Sequence, residues 1–259
     1  MLPHVPILVS PDLAAKSRVV LLFGESCQAL GVLAHRVIGG RGGIARGSVI
    51  GLVDALAQQQ CSANDPASPG VILANAGELW WWPEGGKGLT PIERHGVPME
   101  SAVHWGRYHD KRVNEVRGHR TVGQHVKSVF ETVVLGCGLV GEEAKVDVIV
   151  VGDTADDLKK YLDDDKVWAR VGPVLGCLVV VGGVYSSKEF KCEGFKKFME
   201  EVGSSGIPFS LSVTDAVSAP APTSSTTRPS TAPSPAPAET RARLASPRTA
   251  APSTAPATR

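Results

Sequence analysis

Four short apolar runs punctuate the chain: Val19–Phe23, Val71–Ala74, Val146–Val151 (interrupted by Asp147) and Cys177–Val181. Each is bounded by glycine on at least one side, is rich in Val, Ile or Leu, and is too short for a helix of ordinary length. Such runs predict central strands covered on both faces. Between them the apolar period lengthens. Ser48 precedes a stretch to Gln60 with apolar residues three to four apart, and Thr121 opens another in which Val122, Val126, Val129, Phe130 and Val133 make one stripe. Both read as helices behind a polar cap. Thr154 begins a third, with Asp156 and Asp157 in its first turn, where negative charge suits the helix dipole. Strands alternating with helices predict an α/β fold with a mostly parallel sheet flanked by helices.

The pattern ends near residue 213. Beyond it the chain is almost wholly Ala, Pro, Ser, Thr and Arg, with Leu244 as its last large aliphatic residue. So little apolar surface cannot offset the entropy of ordering the backbone, and 213–259 reads as a disordered tail behind a folded domain at 1–212. Ser234-Pro235 and Ser246-Pro247 are candidate phosphorylation points in it. The tail also carries five arginines against two acids, so the formal charge of +1 hides a mildly acidic domain, a poor match for nucleic acid. No apolar run is long enough to span a bilayer, and the N-terminus lacks the basic start of a signal peptide. The reading is an intracellular protein, nuclear or cytoplasmic. Five cysteines, an odd number without paired spacing, argue against a disulfide scaffold.

Candidate chemistry gathers at two places. The strand ending at Gly152 passes through Asp153 and Thr154 directly into a helix, the geometry of a nucleophile elbow. It would set Thr154 at a sharp turn, with Glu25 and Ser26 near the oxyanion position. The G-x-S-x-G pattern is not met, and no histidine follows Thr154 to act as base. A plain strand–helix junction capped by Asp153 or Thr154 accounts for the same residues. His125 reads as a polar slot in the middle of its helix. The second place is the stretch Gly39–Ser48, where Gly40, Arg41, Gly43 and Arg46 lie just ahead of a helix. Backbone N–H groups and arginines there could seat an anion, phosphate or, with Arg36, RNA. A loop needing positive φ is the plainer reading. Residues 76–120 form a long excursion over the carboxyl edge of the sheet, opening with Trp80, Trp81 and Trp82. These either roof the core or present a partner surface. His104, His109, His119 and Cys27 have no metal-ligand spacing, so neither a metal nor a cofactor is expected.

Taken together, LLFGESCQALGVLAHRVIGGRGGIARGSVIGLVDAL, GVILANAGELWWWPEGGKGLT, RTVGQHVKSVF and VIVVGDTADDLKKYLDDD resemble the Argonaute-binding Arb-type domain family. The likeness is to its fungal stand-alone members, runs from Pro3 to Phe209, and extends to the C-terminal region of fungal class II histone deacetylases. It implies a degenerate α/β-hydrolase-like fold adapted to protein association in chromatin and small-RNA silencing. The family's glycine-rich loop maps to Gly39–Ser48, and its tryptophan segment to Leu79–Pro83. Members commonly carry serine in the elbow, whereas this chain reads Gly152-Asp153-Thr154, which implies lost catalysis. They also carry a further N-terminal region, and a complete hydrolase sheet needs strands beyond Val181, for which only Ile207–Val213 is available. The expectation is a domain shortened at its edges, binding a silencing or deacetylase component. The alternative is an atypical ester or acyl hydrolase using Thr154.

Overall fold

The computed structural model describes residues 2–97, 110–182 and 189–204, the last three by backbone alone. All belong to the first of two units, Met1–Ala219 and Pro220–Arg259. The tail, the candidate strand Ile207–Val213, and His104 and His109 lie outside the described residues.

The four predicted strands form as β2 (Arg18–Phe23), β3 (Gly70–Ala74), β6 (Lys145–Val151) and β7 (Leu175–Val181). A two-residue strand, β1 (Leu8–Val9), joins them in a five-stranded sheet of order β1-β3-β2-β6-β7. The pair β1–β3 is antiparallel and the other three pairs are parallel. A separate antiparallel hairpin is made by β4 (Trp80–Trp82) and β5 (Lys87–Leu89).

The β2–β3 connection carries α1 (His35–Ile38), α2 (Gly43–Gly47) and α3 (Val49–Ala57). Ser48 caps α3 by accepting from the Ile50 amide at 3.3 Å. After the hairpin come α4 (Lys111–Asn114) and α5 (Val122–Ser128), the latter continued by a π-helical stretch at Val129–Val134. Behind β6 stand α6 (Thr154–Leu162) and α7 (Asp165–Val171), and α8 (Glu193–Ser204) follows β7.

One core fills the space between the sheet and α5, α6, α7 and α8. Val19, Leu21 and Phe23 of β2 and Val146, Val148 and Val150 of β6 meet Val126, Phe130, Leu158, Leu162 and Phe195 there. Phe23 stacks on Phe130 at a centroid distance of 6.1 Å. Fully burying such a side chain stabilises by about 2 kcal/mol, so the two central strands are the most firmly held part of the molecule.

Coverage of the second face differs from expectation. β2 is buried on both faces, with Val20 and Leu22 as inaccessible as their neighbours. On β6 only alternate residues are buried, and Asp147, Ile149 and Val151 stay half-exposed. Asp147 holds Arg18 on that face at 2.6 Å, an ion pair that a continuous hydrophobic layer would not accommodate. An apolar run therefore announced the strand but overstated its coverage: Val-rich sequence fits a half-covered strand as well. No helix among the described residues is long and apolar enough to cross a membrane.

Candidate functional site

In the strand order, β2 sends its chain toward β3 while the adjacent β6 sends its chain toward β7. The two connections diverge from neighbouring carboxyl ends, which in open α/β sheets is where a ligand crevice forms. Glu25, Ser26, Asp153 and Thr154 all come to this point. Gly152 has φ of +66° there, and a Cβ on it would lie 2.8 Å from Glu25 Cγ, so both conformation and space call for glycine.

The elbow residues turn their side chains inward. Thr154 is completely buried, and its Oγ1 donates to the Gly24 carbonyl at 2.8 Å. Asp153 does not cap α6 with its side chain. Its carboxylate turns to the neighbouring loop, accepting from the Ser26 amide at 3.0 Å and from the Ser26 hydroxyl. Both side chains are spent on fastening the β6 turn to the β2 turn. Beside them, burial and then the Glu25 carboxylate push the Cys27 thiol up, away from a reactive thiolate. All five cysteines are free.

His125, read as a polar slot, is fully buried instead. Its Nδ1 lies 2.8 Å from Nδ1 of His119, whose Nε2 is 3.4 Å from the Ser128 hydroxyl. One ring must donate and the other accept. His125 Nε2 has no hydrogen-bond partner among the described residues. Burial, reinforced by His119, lowers the pKa of His125 to about 3, and burial lowers that of His119 as well. No hydrogen bond joins either ring to Thr154 among the described residues.

The space beyond these turns is a cavity of about 260 Å³. Ser26 stands on one side, Ala76, Gly77 and Leu79 on another, and the hairpin supplies Trp80 and Leu89. Arg94, Glu115 and Arg120 add charge. Local bonds hold each of these pieces. Asn75 and Glu78 are paired, Nδ2 to Oε2 at 2.8 Å, and the same Glu78 oxygen accepts from the Leu30 amide at 2.9 Å. Thr90 and Glu93 make a reciprocal capping box, the Thr90 amide to Glu93 Oε2 at 2.9 Å and the Glu93 amide to Thr90 Oγ1 at 3.2 Å. Arg94 is the next residue. Asn114, buried, donates to the Trp81 carbonyl at 2.9 Å and ties α4 to the hairpin. Thr121 accepts from the Gln124 amide at 3.2 Å, and Gln124 accepts in return from the amide of Arg120 at 3.2 Å.

The three tryptophans differ in exposure. Trp80 and Trp81 are buried, Trp81 packs at 5.0 Å from the ring of His4, and only Trp82 is half-exposed. Trp80 reaches the cavity as part of its wall. Gly40, Arg41 and Arg46 are exposed, but no residue of 39–48 lines the cavity. The amides of Gly39, Gly40 and Gly43 are engaged in local turns, to the carbonyls of His35, Val37 and Gly40. Gly43, at φ +62°, needs its glycine for conformation. The two candidate segments are thus separate, and arginine side chains rather than a backbone cradle are what the loop offers an anion. Arg94 and Arg120, which the sequence reading passed over, are the cations at the cavity. Their flags were the T-x-x-E box and the Thr121 cap beside them.

An α/β domain with a mainly parallel, helix-flanked sheet of hydrolase-like topology, its elbow residues tied inward beside a separate cavity, is the class of protein defined here. The Arb2 domain profile matches residues 2–205, and the chain belongs to that family. Among curated proteins and solved structures nothing matches significantly.

Proposed function

We propose that this Arb2 domain is a non-catalytic, hydrolase-like module that binds a protein partner at the mouth of the Trp80–Arg94–Arg120 cavity. The observation that carries the reading is the fate of the elbow. A nucleophile must present its oxygen to substrate with a base in reach, whereas Thr154 is buried and donates to Gly24. The family resemblance supplies the setting, chromatin or small-RNA silencing, with a silencing or histone deacetylase component as the partner.

Substitution at Thr154 separates binding from hydrolysis. Thr154→Val keeps the shape and removes the bond to Gly24, and is expected to lower unfolding stability by about 1–2 kcal/mol. Partner capture is expected to persist. An ester hydrolysis rate with p-nitrophenyl acetate that vanishes in this variant while it remains folded would establish the hydrolase reading instead.

The partner is tested by affinity capture of the full-length chain from its own cells after nuclease treatment. Recovery of a deacetylase or Argonaute-pathway component is expected, and loss of that component in an Arg94→Glu/Arg120→Glu variant that remains folded. Equal recovery with the variant would place the binding surface elsewhere, and Arg41→Glu/Arg46→Glu is then the variant to compare.

A further inference from the structure

We propose that the cavity recognises a carboxylate carried on an apolar stem; the inference rests on the cavity being the binding site, as above. The wall is divided. Leu79, Trp80, Leu89 and Val122 make the apolar part, and Arg94, Arg120 and Glu115 the charged part. Among the described lining residues the two cations outnumber the one anion, which favours an anionic group. A phosphate dianion would meet Glu115 with the greater repulsion.

The arginines are prepared for such a group. Glu115 Oε2 lies 3.1 Å from Arg120 Nε, an ion pair that keeps the guanidinium at the cavity without a directed hydrogen bond to it. The two terminal nitrogens of Arg120 make no hydrogen bond among the described residues, and the Arg94 guanidinium makes none either. A guanidinium fork presents paired donors at the spacing of carboxylate oxygens. Both arginines are attached to capped turns, so little order remains to be imposed on their backbone when a ligand arrives. At about 260 Å³ the cavity falls just below the roughly 300–1,000 Å³ of sites for drug-sized molecules, which suits one side chain or a small acid.

The occupant is either a free acid or the carboxylate end of a peptide, and the chemistry at the arginines is the same for both. Titrations of the full chain with hydrocinnamate, hydrocinnamamide, and an acetylated Ala-Ala-Phe peptide as acid and as amide distinguish them. The readout is the Trp80 indole resonance. At least one acid is expected to bind, with its amide about tenfold weaker or more, since a charge-assisted contact is lost. Arg94→Gln and Arg120→Gln are each expected to weaken the acid about tenfold and leave the amide unchanged, the first with unaltered melting and the second folded but less stable through loss of the Glu115 pair. Arg46→Gln, outside the cavity, is expected to change nothing. Tighter binding of the peptide acid than of hydrocinnamate assigns the site to a protein C-terminus. Binding of hydrocinnamate alone assigns it to a small acid. Equal affinity for acid and amide, or indifference to both arginine substitutions, overturns the inference. Failure of both acids to bind while the Arg94→Glu/Arg120→Glu variant still loses its protein partner removes the ligand class and leaves the partner reading intact.

Discussion

Gly77→Ala is expected to cost about 3 kcal/mol or more of unfolding stability, a large effect for one added methyl group. An ideal Cβ at this position would lie 1.8 Å from the carbonyl oxygen of Gln28 and 2.8 Å from its carbon. Both are backbone atoms, so no side chain can swing aside, and one of the two loops has to move. Those loops are the exits of β2 and β3. Gln28 lies in the stretch whose Ser26 is bonded to Asp153, and Gly77 lies between Asn75 and Glu78, which are bonded to each other, Glu78 also accepting from the Leu30 amide. Relief of the clash therefore strains bonds on both sides of the cavity. Urea unfolding of the variant beside wild type measures the loss. A drop below about 1 kcal/mol would show that the two loops are softer than this bonding implies.

The second large effect is a loss of stability on mild acidification. Neutral His125 is strongly preferred in the folded state, where its pKa is about 3 against 6.5 for a free histidine side chain. A depressed folded-state pKa means that the unfolded chain takes up the proton first, and stability falls as pH drops below the unfolded value. Between about pH 7.5 and about pH 5 the expected loss is roughly 2 kcal/mol, reckoned at about 1.4 kcal/mol per pH unit once the unfolded histidine titrates. The decline continues until the folded pKa is reached. His119 shifts in the same direction and adds to it. Carboxylates protonate below this window, so the histidines govern it. His125→Leu is expected to flatten most of the slope in denaturant titrations across the range. A wild-type stability that stays level over it would mean that the pair accommodates the charge.

Both effects arise where sequence reading was least informative, and the reason is physical. The runs at Val19–Phe23, Val71–Ala74, Val146–Val151 and Cys177–Val181 marked strands because burial of a strand leaves a local imprint of branched apolar residues between glycines. Ser48 and Thr121 marked helix starts for an equally local reason, since each bonds an amide two or three residues ahead. The β4–β5 hairpin was not resolved as a hairpin, because three tryptophans in succession hide the two-residue period that a strand facing two environments shows. In the Asp163–Asp165 run, Asp164 caps α7 at the Lys166 amide (2.9 Å) and Asp163 accepts from the amides of Lys191 and Cys192. Only the first of those bonds is local enough to foresee.

The site divides along the same line. Gly152-Asp153-Thr154 was legible as a turn between strand and helix. The destination of its side chains was not, because Ser26 and Gly24 are more than a hundred residues away and reach it only through the pairing of β2 with β6. The cavity draws Ser26, Trp80, Arg94 and Arg120 from four segments with no common motif. His119 and His125 are six residues apart, a spacing that says nothing of two Nδ1 atoms in contact.

The fastening of the β6 turn to the β2 turn also bears on how this domain could change over time. An ancestor with an open elbow could lose its nucleophile by one substitution and regain it by another. Thr154→Ser alone would return a primary hydroxyl to a position whose oxygen already faces the Gly24 carbonyl, behind an aspartate committed to Ser26. Chemistry at this corner would require freeing both contacts and supplying a base, with no gain from any step taken singly. On the non-catalytic reading proposed above, the corner serves as a structural joint, and selection can act on the surface beside it.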